Sequence, residues 1–298
     1  TGGFMDLDQD IEKLMLATTD KWLAGQDVPD DPILQNFVKY HRLVADFDGR
    51  EQAGVAPAMP LVEEYKALGS FKEFADKIAE YEMAGKPNFF TFDVAPDFMN
   101  AQMNVLWADA PGIILPDTTY YEEGNEKGKE LLAIWRKMQE ELLPKFGFSK
   151  EETKDILDKY LELDAKLAKY VLSNEESSEY VKLYHPYDWA DFTKLAPELP
   201  LDAIFTEILG QVPDKGIVPQ ERFWKDFAAE CYSEKNWEHL HAALKLFSTG
   251  AWTSLLTEEI RVLSGTYARA ISGVPEPRPK EKAALALAEG AYSQALGL

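Results

Sequence analysis

Four histidines, His41, His185, His239 and His241, are the first residues to question for metal or proton-transfer chemistry. Two of them fall in Glu238-His239-Leu240-His241, where the flanking Trp237, Leu244 and Phe247 read as helix. On a helix, positions i and i+2 point about 200° apart, so these imidazoles cannot face one ion. His-Glu-x-x-His, which sets two imidazoles one turn apart beside a general base, does not occur. Cys231 is the lone thiol and reads as a small core residue on an apolar face. Neither a Gly-x-Ser-x-Gly elbow nor a glycine-rich phosphate loop ending in Lys-Ser/Thr is present. The carboxylate pairs Glu122/Glu123, Glu140/Glu141 and Glu151/Glu152 are adjacent in sequence, diverge on a helix and read as solvated faces. Among the seven tryptophans, Trp135 and Trp252 fit core stripes, while Trp107 and Trp189 stand beside turns and are candidates to line a cleft. No self-contained catalytic constellation is visible.

The elements that would carry these residues are mostly helical. Phe71, Phe74, Ile78 and Tyr81 follow 3-4-3 spacing behind a Ser70/Glu73 capping box. The same box recurs at Ser149/Glu152, ahead of Ile156, Tyr160, Leu163, Leu167 and Val171, and at Ser173/Glu176. Further stripes run Leu131, Trp135, Met138, Leu142, stopped by Pro144 and Gly147, and Leu256, Ile260, Leu263, Tyr267, Ile271. Asp202 is expected to cap a helix over 203–209. Residues 88–95 are aromatic-rich and partly alternating, which predicts a strand; 103–108 is its expected partner and 112–115 a third short strand. The fold class is therefore mainly α, a multi-helix lobe with one small β element at about residues 88–115. Asp48 to Pro60 reads as a linker, and Gln211 to Pro219, with two prolines and a glycine, as the best domain boundary, dividing the chain into 1–210 and 211–298.

The 298 residues carry 31 Lys+Arg against 52 Asp+Glu, a net charge of −21, and are 46% hydrophobic. Such a chain is globular. Its acidity argues against duplex nucleic acid and anionic membrane as partners. The least charged stretch of the body, 246–257, is too short to span a bilayer, which needs roughly 20 residues. One cysteine excludes an intramolecular disulfide framework and cysteine-based structural zinc. The start at Thr1 and the nearly uncharged helix-prone end, 283–298, predict that the native chain extends at both ends.

Gly112-Ile113-Ile114-Leu115-Pro116-Asp117-Thr118-Thr119-Tyr120-Tyr121 resembles the Gly-x-x-Leu-Pro-x-x-x-Tyr-Tyr signature in the amino-terminal half of the neprilysin family of zinc metalloendopeptidases, in the form of its bacterial oligoendopeptidases. Agreement in family order extends over about residues 10–298. It takes in Trp22, the strand before Pro96-Asp97, Leu163-Asp164-Ala165-Lys166-Leu167-Ala168, Tyr184-His185-Pro186, Phe223, and Tyr292 to Leu298.

The resemblance implies a helical roof lobe, roughly to Gly210, over an enclosed cavity, with helices after Pro219 leading into a catalytic lobe beyond Leu298. That absent lobe would hold His-Glu-x-x-His, a third glutamate ligand and the zinc that activates water for peptide hydrolysis. This chain is accordingly expected to bind no metal or other cofactor, to contain no catalytic residue and to be inactive alone. Its implied partners are its own carboxy-terminal lobe and short peptide substrates. Low cysteine content suits a cytoplasmic bacterial enzyme, with export left open by the Thr1 start.

Asn36, Phe37, His41, Arg42, Trp107, Tyr120 and Tyr121 are the candidates for the cavity wall. Some relatives anchor a substrate carboxylate with an arginine shortly before Asn-Phe; here Ile33 occupies that position, and His41 or Arg42 would have to substitute. Gly112, Leu115, Pro116, Asp117, Tyr120 and Tyr121 carry the signature and are expected to act structurally, as a buried turn. The alternative reading is a stand-alone helical module binding a peptide or protein in an aromatic cleft near Trp107, Tyr120 and Trp189.

Overall fold

A computed structural model describes the backbone of residues 2–296 and the side chains of residues 10–293. Two compact units form, each assembled from separate stretches of chain. The first comprises 1–54, 254–265 and 274–298; the second comprises 55–253 and 266–273.

In the first unit, the helices Gly2–Leu23, Pro32–Val44 and Lys280–Leu296 meet around Phe37, Val38, Leu285 and Ala288. Asp31 caps the second of these, accepting from the N–H groups of Ile33 and Leu34 at 2.9 Å each, and Pro32 fits its first turn. Phe37 takes Trp22 and Tyr292 edge-on at 6.1 and 6.0 Å. Arg50 supplies the polar tie. Its guanidinium donates to the carbonyls of Val44, Ser254 and Leu256 at 2.8, 2.9 and 2.9 Å. Glu12 accepts from both Arg278 and Lys282.

In the second unit, four strands, β1 (Phe92–Asp97), β2 (Asn100–Ala108), β3 (Pro186–Asp188) and β4 (Lys215–Ile217), form one sheet in the order β1-β2-β4-β3. β1 and β2 are an antiparallel hairpin in register from Phe92↔Ala108 to Pro96↔Asn104; β4 runs parallel to β2 and antiparallel to β3. Aromatic side chains lock this sheet to the surrounding helices. Trp224 Nε1 donates to the Ala108 carbonyl and the Tyr232 hydroxyl to that of Phe89, both at 3.0 Å. Phe192, Phe205 and Phe223 fill the space between them, fully buried. The helix Lys150–Leu167 starts at a complete Ser149/Glu152 capping box and packs against Trp237–Gly250; Ser173/Glu176 forms a second box. Cys231 is buried in this unit, where burial pushes its thiol well above the usual range.

Several expectations need correction. Residues 112–115 form no strand; the remaining strands come from 186–188 and 215–217, too short to show alternation. Residues 211–219 therefore contain β4, which pairs with strands on both sides. The 71–81 stripe is broken into Phe71–Ala75 and Ile78–Met83, and Glu73 accepts from Gly69 N–H instead of closing the box. Asp48 to Pro60 holds most of the helix Phe47–Ala53 and the start of Met59–Lys66. Pro200, not Asp202, precedes the helix Leu201–Leu209; the Asp202 carboxylate instead accepts from Trp189 Nε1 at 2.6 Å. The 256–271 stripe breaks at Gly265 into Glu258–Ser264 and Thr266–Ser272, which belong to different units. Trp252 is 42% exposed and Ile271 46%, whereas Trp135 is buried as expected.

Candidate functional site: the signature turn and the hairpin cleft

The Gly112–Tyr121 run folds without regular structure, bending over 114–117, into a single 3-10 turn, Thr118–Tyr121. One carboxylate organises it. Asp164, on the helix Lys150–Leu167 and 1% exposed, accepts from Ile114 N–H through Oδ1 at 2.7 Å and from the Tyr121 hydroxyl through Oδ2 at 2.6 Å. The Tyr121 oxygen in turn accepts from Leu115 N–H at 3.0 Å, and the Tyr267 hydroxyl donates to the Ile114 carbonyl at 2.6 Å. Leu115 is 2% exposed beside this network. Burial lifts the Asp164 carboxyl to about 6, although its bonds from Tyr121 and Ile114 pull downward. Burial, reinforced by the Asp164 charge, pushes Tyr121 far above the ordinary phenol range and Tyr267 up to about 12.

The second half of the run is held from outside as well. Asp117 caps the 3-10 turn through Oδ1, accepting from Thr119 N–H and hydroxyl at 2.9 and 2.6 Å, and accepts from Asn174 N–H through Oδ2 at 2.6 Å. These donors, Asn174 first, hold its carboxyl below the usual carboxylate range. Asn125 caps the helix Glu126–Leu142 and donates to the Thr119 carbonyl at 3.1 Å. Gly128, in that helix's first turn, leaves room for the Tyr120 backbone: a Cβ there would lie 1.9 Å from the Tyr120 carbonyl oxygen.

The sequence candidates fall into both units. Asn36 and Arg42 are exposed, and Arg42 donates to the Leu23 carbonyl at 3.0 Å. Phe37 is at the centre of the first unit's core. His41 is buried beside it, its Nδ1 without a partner; burial holds its pKa below the usual imidazole value against the opposing charge of Asp20. Trp107, Tyr120 and Tyr121, with Gly112, Leu115, Pro116 and Asp117, belong to the second unit. Tyr120 and Tyr121 are half-buried in the turn, and Gly112 is exposed. Trp107 packs at a tilt against Phe98, ring centroids 4.6 Å apart, with Tyr184 edge-on at 6.5 Å, and its buried Nε1 has no partner. Trp189 is buried.

Asp164, Tyr267, Asn174 and Gly128 hold the turn but carry no recognisable role in the sequence. Asp164 did leave a signal, an acid interrupting the apolar stripe between Tyr160 and Leu167.

Beside the hairpin opens a cleft of about 760 Å³. Val94, Met99, Met103 and Leu209 give it an apolar wall, and an Asp97–Lys215 ion pair lies in its lining. Asp97, 3% exposed, also accepts from Tyr184 and from Met99 N–H. Lys215 first, then these donors, draw its carboxyl down to about 2.

The histidines are dispersed. His185 Nδ1 meets the Val218 carbonyl, His239 Nε2 meets Glu162, and His241 Nε2 meets the Tyr65 carbonyl. Among the described residues no three His, Cys, Asp or Glu side chains group so as to hold a metal ion, so these donors do not fit a zinc centre. No helix among them is long and apolar enough to cross a membrane.

The amino-terminal-domain model of peptidase family M13 matches residues 1–298. The chain belongs to this family, the neprilysin family of metallopeptidases, as the signature implied. A Streptococcus gordonii protein provisionally named as the zinc metalloproteinase in the scaA 5' region is 61% identical over all of this chain and 53% of its own length. A neutral endopeptidase of Lactococcus lactis subsp. cremoris is 33% identical over 92% of this chain and 44% of its own. The fold is that of PepO from Lactobacillus rhamnosis HN001, with a TM-score of 0.89 at 22% identity over 98% of this chain and 46% of that one. Zinc metalloprotease Zmp1 of Mycobacterium tuberculosis superposes at a TM-score of 0.81 and 17% identity, over 97% and 45%. The chain thus spans about half the length of the relatives it matches.

Proposed function

We propose that this chain is the amino-terminal, non-catalytic part of a zinc metalloendopeptidase that hydrolyses oligopeptides. Its helical lobe roofs an enclosed substrate cavity and stays chemically inert by itself. The observation that carries this reading is the match of the whole chain to one half of a relative named as a zinc metalloproteinase at 61% identity. In this reading zinc belongs to the carboxy-terminal half, which is the chain's structural partner. A roof limits admission to short unfolded peptides and excludes bulk water from the reacting bond. Residues 1–210 would form that roof, and 211–298 would lead toward the catalytic lobe. The exposed candidates Asn36 and Arg42 would then face substrate, whereas the signature residues would keep the roof in shape. The lone buried Cys231 suits a reducing, cytoplasmic setting.

The test compares oligopeptide hydrolysis by the full-length protein and by residues 1–298. Chelator-sensitive cleavage by the former alone is expected. Cleavage by residues 1–298, or one equivalent of tightly bound zinc in them, would overturn the assignment.

A further inference from the structure

We propose that the cleft beside the β1–β2 hairpin is a binding site for peptides that carry a lysine or arginine next to an apolar residue. The inference rests on the peptide-handling function proposed above and adds a site and a preference to it. The cleft volume, about 760 Å³, lies in the range of small-ligand sites and suits a few residues of extended chain.

Charge sets the preference. Asp188 and Asp214 line the cleft, are exposed, and have no side-chain partner among the described residues. Lys215, the cation of the lining, is already neutralised by the buried Asp97. A positively charged side chain therefore meets two free carboxylates without competition, within a chain whose net charge of −21 already attracts cations.

The apolar wall supplies the other half of the recognition. Met99 is 77% exposed and Met103 54%, and the flexible thioether chain adapts to differently shaped partners. Asn100, Asn104 and Gln211 add amide groups that can both donate to and accept from a peptide backbone. Strand addition at the free edge of β1 is disfavoured, because Pro96 lacks an N–H and Val94 N–H is taken up by the Asp93 carboxylate at 2.7 Å. Recognition through the cleft's side chains is the route left open.

Fluorescence anisotropy of dansyl-labelled Ala-Leu-Lys-Leu-Ala, against the same peptide with norleucine replacing lysine, tests this on the full-length protein with chelator present to stop turnover. The lysine peptide is expected to bind more tightly. The Asp188→Asn/Asp214→Asn double variant should weaken it about fivefold to tenfold, as two exposed ion pairs would, and leave the norleucine peptide unchanged. Met103→Glu should weaken the norleucine peptide. Equal affinity of the two peptides for wild type, or an unchanged lysine peptide on the double variant, overturns the proposal. So does a Met103→Glu variant that leaves peptide binding intact but loosens the full-length protein, since the cleft would then be covered by the protein's own remaining half. Hydrolysis of both peptides by the zinc-loaded protein separates the two ideas. Cleavage without charge-dependent binding removes the cleft site and keeps the peptidase; charge-dependent binding without cleavage does the reverse.

Discussion

Both units use one polar side chain to gather backbone from distant parts of the sequence, and they do it with opposite charge and opposite burial. Arg50 in the first unit donates outward to three carbonyls from a half-buried position. Asp164 in the second unit is almost wholly buried and accepts inward, from one backbone N–H and one phenol. A guanidinium keeps its charge under all ordinary conditions, whereas a buried carboxyl trades its charge for a proton. The first tie should therefore be indifferent to pH and the second should not. Dense packing also separates them: Gly128 leaves no slack near the signature turn.

Four changes sharpen that contrast, in order of decreasing effect. Gly128→Ala forces a methyl group against the Tyr120 carbonyl, at a cost of about 2–4 kcal/mol by comparison with overpacked cores. Urea unfolding measures it, and a cost under about 1 kcal/mol would mean the turn can shift away. Tyr121→Phe strips the Leu115 N–H of its acceptor and Asp164 of a donor, for about 2–3 kcal/mol from unsatisfied buried groups. Hydrogen exchange should rise at Ile114 and Leu115 in that variant. Arg50→Met leaves three carbonyls to find water, which costs about 2 kcal/mol because the site is half exposed. Here faster exchange should appear in residues 44–54 and 254–256, and equal loss of protection at Asp164 would break the comparison. Ser149→Ala removes an N-cap and should cost about 1 kcal/mol by thermal denaturation.

The pH prediction has a definite sign. The Asp164 carboxyl holds its proton more tightly folded, at about 6, than unfolded near 4, so its stabilising effect is complete below about pH 4 and is lost as pH rises through 6. Wild type should lose about 1–2 kcal/mol relative to Asp164→Asn between pH 5 and 7.5. Buried His41 works the other way. Its folded pKa is depressed, so stability is lost as pH falls below the usual imidazole value, and His41→Phe should flatten that acid limb. His241, depressed chiefly by burial, adds a slope of the same sign in the second unit, so the Asp164 effect is read as a difference between variants.

Local chemistry was legible where near neighbours alone decide it, and failed where another donor competes: Trp189 takes the Asp202 carboxylate and the Gly69 N–H takes Glu73. The capping boxes at Ser149/Glu152 and Ser173/Glu176 and the buried face of Leu131, Trp135, Met138 and Leu142 stand where spacing placed them, because helix period and orphan N–H groups are local properties. The family signature was equally legible as a string. Its physical role was not, since Asp164 lies 50 residues beyond Ile114 and Tyr267 lies 153 beyond it. Three-residue strands such as β3 and β4 have too few positions for a period and exist only because β2 offers β4 a ladder and β4 offers one to β3.

Composition, the capping boxes at Ser149 and Ser173, the 131–142 stripe and the ten-residue signature thus follow from the order of residues alone, because each depends on contacts within a turn or two of chain. The two units built from interleaved segments, the carboxyl that holds the turn, and the cleft beside the hairpin arise only when distant stretches are brought together. There burial decides which groups keep their charge.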